Sequence, residues 1–117
     1  MKNNLENISS QLDLLKVLAK SKTKVRQAII INADRKLIMA ICEIVFNVLE
    51  NNLTLDESDL LKIKRYRFTL RKLIKKTDLK EKKKILDQRG GFLQFLIPAV
   101  ITGISNIVSS LIDSNNK

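Results

Sequence analysis

The sequence predicts an all-α protein: a small helical domain of about four helices, followed by a basic helix and an apolar C-terminal helix. Three observations carry this expectation. Apolar residues recur at three- and four-residue steps along most of the chain, the spacing of a helix face. Only three Gly and one Pro interrupt its 117 residues, too few for the turns of a multi-stranded β fold. Aromatic residues make up 4% of the chain with no Trp, so neither an aromatic-rich β core nor a base-stacking platform is well supplied.

Charge divides the same chain into zones. Residues 1–61 carry eight basic and eight acidic side chains and balance to zero, a neutral helical head. Residues 62–89 carry thirteen Lys/Arg against Asp78, Glu81 and Asp87, which accounts for the whole formal net charge of +10. Residues 90–112 hold no charged side chain and form an apolar amphipathic or membrane-seeking tail, with a polar terminus at 113–117. At this length one modest core is expected and no second domain.

Within the head, Leu5, Ile8, Leu12, Leu15, Leu18 and Ala19 mark an amphipathic helix that frays near Ser21-Lys22-Thr23. The short β-branched run Val25 to Ile31 is expected to be helical, because no second strand is present to pair with it. Asn32-Ala33-Asp34 reads as a break, with Asp34 the N-cap of the succeeding helix. From Leu37 to Leu49 the sequence is apolar nearly all round, which places this helix at the centre of the core. A membrane helix is disfavoured there: Arg35-Lys36 and Glu50 bound the run and Glu43 interrupts it, short of the ~20 apolar residues a span needs.

Thr54 and Glu57 have capping-box spacing, and Asp56, Glu57 and Asp59 suit the positive end of the next helix dipole. That helix is expected to pack through Leu60, Ile63, Tyr66, Leu70 and Leu73 while Lys64, Arg67, Arg71 and Lys75 face away. Thr77-Asp78 with Glu81 starts a short lysine-rich helix anchored by Leu79, Ile85 and Leu86, and Gly90 is placed to close it in a left-handed conformation.

The tail is mixed in character. From Thr102 onward its polar residues gather on one helical side, while Ile97, Ile101, Ile104, Val108 and Leu111 line the other. Pro98 suits the first turn of a helix beginning there, with Phe92 to Ile97 an extended or loosely helical lead-in. Three readings stand open: a helix lying in a membrane interface or partner groove, a tail-anchored span with the basic segment cytosolic, or a helix packed back onto the head. Phe92, Phe95, Ile97, Ile101, Ile104, Val108 and Leu111 are the candidate membrane or partner contacts.

Catalysis is not expected. One cysteine, Cys42, and no histidine exclude a disulfide framework, a Cys/His zinc site and His-dependent chemistry within one chain, and Cys42 reads as a small core residue. The acidic cluster at 56–59 is accounted for by helix-dipole compensation, and no phosphate loop or metal-ligand spacing accompanies it, so no metal and no cofactor is expected. Met1 to Leu18 has no continuous apolar stretch of the secretory kind.

The basic segment remains. Lys62, Lys64, Arg65, Arg67, Arg71, Lys72, Lys75, Lys76, Lys80, Lys82, Lys83, Lys84 and Arg89 repel one another and call for a polyanion. Without zinc-finger spacing or a helix-turn-helix reading face, the expected partner is double-stranded DNA, bound irrespective of sequence and strongly salt-dependent. The same lysines overlap a nuclear localisation pattern. Anionic lipid is the alternative partner, for a membrane-active or tail-anchored protein, and a helical protein–protein interaction module whose tail completes the core is the other alternative.

The block from Leu70 to Leu93, ending Gln88-Arg89-Gly90-Gly91-Phe92-Leu93, resembles a stretch in small proteins of animal Polinton and adintovirus elements, in which a lysine run and Gly-Gly-Phe-Leu precede an apolar tail. Asn32-Ala33-Asp34 and the Ile41-Cys42-Glu43 helix resemble them too, so the likeness covers about residues 32–112. Those proteins are similar in layout to the adenoviral X, or mu-precursor, core polypeptide. The resemblance implies a minor virion core protein that neutralises packaged DNA, located in the virion and host nucleus, with its tail contacting membrane or capsid proteins. It also implies a viral maturation protease as partner, cutting after Gly91 at Gly90-Gly91-Phe92, although Gln88 stands where a large aliphatic residue is commonest. The alternative reading of Gly90-Gly91 is a helix stop and hinge.

Overall fold

The computed structural model describes residues 5–50, 55–76 and 78–102, with side chains from Ile8 onward. Its regular structure is helical throughout: α1 (Leu5–Ser10), α2 (Leu12–Lys20), α3 (Thr23–Ile31), α4 (Arg35–Leu49), α5 (Glu57–Lys75) and α6 (Leu79–Arg89). A 3-10 turn, Gly90–Phe92, then leads into a further helical stretch, α7 (residues 93–102). The expected all-α class is what is observed.

The N-terminal periodicity, read as one helix, is split in two at Gln11. Gln11 N–H donates to the Ile8 carbonyl at 3.2 Å, a tighter turn than the α-helical one, and α2 restarts at Leu12. Both pieces pack on α4, which buries Ile8 from the first and Leu15 and Leu18 from the second. Val25 to Ile31 lies in α3, as expected, and Asp34 caps α4 by accepting from Leu37 N–H at 3.0 Å.

Because α4 is apolar nearly all round, it must be covered on every side. Neighbours α1, α2, α5 and α6 supply that cover, and Ile38, Ala40, Ile41, Cys42, Ile44 and Val45 are fully enclosed.

The capping box is corrected: Asp56 is the N-cap of α5, accepting from Asp59 N–H at 2.8 Å, and Thr54 lies outside the described residues. Burial and the neighbouring Asp56 raise the Asp59 carboxyl above its ordinary range. Asp78 caps α6 through Lys80 N–H at 3.1 Å, with Thr77 outside the described residues.

Two expectations about the C-terminal part are overturned. Gly90 is right-handed, with φ −77° and ψ 9°, so it continues the chain instead of turning it away. Pro98, expected to open a helix, sits exposed inside α7, which begins five residues earlier. The reason is burial. Phe92, Leu93, Leu96, Ile97 and Val100 are all fully enclosed. At about 1.5–3 kcal/mol for each side chain, their burial outweighs the ~3 kcal/mol penalty of an interior proline.

The start of α7 is held on two sides. Gln94 Nε2 donates to the Ser21 carbonyl at the α2–α3 junction, at 3.3 Å. On the α5 side, the Tyr66 ring lies 5.9 Å from that of Phe92 and 5.6 Å from that of Phe95, both tilted. One apolar cluster therefore runs from Ile8 to Val100 across the neutral, cationic and uncharged zones.

Ending the chain at Gly91 removes five enclosed side chains from that cluster, a loss comparable to the whole ~5–15 kcal/mol stability of a domain. The truncated protein is expected to lose its cooperative thermal transition by circular dichroism; a sharp transition near the full-length midpoint would show that the tail is dispensable.

Candidate nucleic-acid interface

Helix α5 positions most of the basic residues. Its inner side is Ile63, Thr69, Leu70 and Leu73, with Tyr66 and Ile74 half-buried. Spaced by three and four residues, these positions form one stripe, so everything between them points outward. Lys62, Lys64, Arg65, Arg67, Arg71, Lys72, Lys75 and Lys76 are all exposed. No acidic residue occurs between Asp59 and Asp78.

From α6, Lys80, Lys84 and Arg89 are also exposed. Arg89 meets α5 across a groove lined by Phe68, Thr69, Lys72, Ile85, Gln88 and Arg89, while Arg67, Phe68, Arg71, Lys72 and Lys75 line an open depression on α5. Eleven of the thirteen candidate residues thus stand on the surface of two adjoining helices.

The remaining two do not, which corrects the reading of the lysine run as one uniform binding strip. Lys82 is 5% exposed and its ammonium donates to the Leu73 carbonyl at 2.9 Å, in the last turn of α5. Lys83 is half-buried and donates to the Ile31 carbonyl at 3.1 Å, at the end of α3. Each satisfies a helix C-terminal carbonyl that has no donor within its own helix, and each places positive charge at the negative end of a dipole. Two consecutive lysines thereby fasten α6 to two other helices. Gln27 Nε2, donating to the Asp87 carbonyl at 3.1 Å, adds a second tie between α3 and α6.

Lys82 also lies against Cys42. Burial raises the thiol above its ordinary range, and the positive charge of the Lys82 ammonium opposes that shift. A buried thiol held neutral is a poor nucleophile. Arg26, one of the basic residues of the neutral head, is likewise drawn inside, 6% exposed and beside Gly90.

Lys62 occupies the edge where the basic face meets the apolar one, its ammonium 5.6 Å from the centre of the Phe95 ring. The candidate tail contacts are relocated by the fold. Phe92 and Ile97 are enclosed, Phe95 and Ile101 are half-buried, and Ile104, Val108 and Leu111 lie outside the described residues. No helix among the described residues is long and apolar enough to cross a membrane. The Gly90–Phe92 segment is a 3-10 turn with the Phe92 ring buried, so a protease that needs an extended strand would first have to unwind it.

Three exposed apolar residues on α5 escaped the sequence reading. Leu60, assigned to the packing side, is 41% exposed; Leu61 and Phe68 are 61% and 78% exposed. The available signal was phase: Leu61 and Phe68 are seven residues apart and fall between the positions of the Ile63, Tyr66, Leu70 and Leu73 stripe.

Among the described residues no three His, Cys, Asp or Glu side chains come together as a metal-ligand set. Compared with known proteins, the chain matches no family model, no curated protein and no solved structure.

Removing the buried ammonium in Lys82→Met orphans the Leu73 carbonyl and is expected to lower unfolding free energy by about 1–3 kcal/mol in urea, whereas exposed Lys84→Gln should change it by less than ~0.5 kcal/mol. Equal effects would contradict the assignment of Lys82 to the interior. In the folded protein Cys42 is expected to resist alkylation until denaturant is added; rapid native-state labelling would show that the α4–α6 contact is open.

Proposed function

We propose that the protein is a non-catalytic binder of double-stranded DNA that acts irrespective of base sequence through the outer faces of α5 and α6. The observation that carries this reading is the unbroken exposure of all eight basic side chains from Lys62 to Lys76 on one helix face and its flanks, without an acidic residue among them. At 1.5 Å per residue α5 is about 28 Å long, over which duplex DNA presents about sixteen phosphates. Charge on the DNA is therefore not limiting, and the number of lysines and arginines that reach it sets the affinity.

Lys80, Lys84 and Arg89 extend the surface beyond α5. Lys82 and Lys83 serve it indirectly, by holding α6 in place. The resemblance to Polinton and adintovirus proteins supports placing this activity in a minor core protein, where neutralising packaged DNA needs charge without sequence readout. It also favours the virion and host nucleus as its location.

Binding of two unrelated duplexes, followed by fluorescence anisotropy over a salt series, tests the proposal. Equal affinities are expected, with log K falling steeply against log salt. The triple variant Arg71→Gln/Lys72→Gln/Lys75→Gln, all exposed positions, should flatten that slope by about 2.7, at ~0.9 for each lost phosphate contact. A shallow wild-type slope, a strong preference for one duplex, or full binding by the variant would contradict it.

A further inference from the structure

We infer that the outer face of α5 is also a docking surface for an anionic lipid bilayer, with Phe68 and Leu61 entering the interface. Neutralising phosphates requires cations alone, yet the most exposed large apolar side chain among the described residues, Phe68, stands amid Arg67, Arg71 and Lys72. Leu61 lies two helical turns earlier on the same face.

Duplex DNA gives these two little to do. A helix about 10–12 Å across nearly fills the ~12 Å major groove, and the ~6 Å minor groove does not admit it, so a ring in mid-helix cannot wedge between base steps there. A lipid interface uses both chemistries together. Phe and Leu sink to the level of the acyl boundary, while Lys and Arg bend their alkyl stems upward to reach headgroup phosphates. The fold makes this possible without the tail, because α5 is anchored to the core by Ile63, Leu70 and Leu73 and can lie on the surface as part of an intact domain.

The inference is independent of the DNA reading and can be separated from it. Full-length protein is mixed with phosphatidylcholine vesicles, with and without equimolar phosphatidylserine, and partitioning is read by flotation. Wild type is expected to float only with phosphatidylserine. Phe68→Ser/Leu61→Ser should reduce that partitioning about tenfold or more. It should leave duplex affinity and its salt slope unchanged, since both positions are exposed in the folded chain. Arg71→Gln/Lys72→Gln/Lys75→Gln should lose both activities, and added duplex should displace wild type from vesicles. Failure of wild type to float would overturn the inference and leave DNA binding standing. So would flotation unchanged in the Phe68/Leu61 variant. A variant that instead loses duplex binding while still floating would reassign Phe68 to nucleic acid.

Discussion

The apolar side of residues 92–100 must be covered by the same chain that carries the basic helices. That covering determines the rest of the structure. Phe92 and Leu93 enter the core at once after the basic segment ends, so the chain cannot turn away at Gly90 and cannot delay its helix until Pro98. Tyr66 and Gln94 hold the stretch from opposite sides, against α5 and the α2–α3 junction. With its inner side occupied in this way, α5 has one face left, and that face sets exposed lysines and arginines around Leu61 and Phe68.

Covering the core also sorts cations that composition treats as equivalent. An ammonium is tolerated inside only where hydrogen-bond acceptors and negative potential meet it, and helix C-termini provide both. Lys82 and Lys83 take two such positions, at the ends of α5 and α3. Lys80 and Lys84, on the other side of the same short helix, remain in water. The lysine run of α6 is therefore partly adhesive and partly surface.

Much of this was legible in the chain. Helical class, the central position of α4, the burial of Cys42 and the caps at Asp34 and Asp78 depend on local pattern, and local pattern predicts them. The break at Gln11 does not: the 3–4 periodicity passes through it undisturbed, and only the need to lay two short pieces on α4 divides them. Asp56 displaced Thr54 as a cap because several acceptors stood close together, any of which local rules accept. At the candidate surface the positions on α5 follow from phase, and on α6 phase sets Lys82 on the side of Leu79, Ile85 and Leu86. What local pattern does not show is that an ammonium is accepted there, which depends on where the carbonyls of Leu73 and Ile31 lie in three dimensions. The uncharged tail was open to three readings because an apolar run looks the same whether its cover is lipid or protein; for residues 92–100 the cover is the chain's own core.

The proposed function rests on this arrangement, since with residues 92–100 withdrawn into the core the basic faces of α5 and α6 stay exposed among the described residues. Native-state hydrogen exchange tests the arrangement most directly. If residues 93–100 and α4 belong to one cooperative core, their slowest amides exchange only through global unfolding and share one opening free energy. Protection in 93–100 far below that of α4 would contradict the account, showing a tail that detaches while the head stays folded.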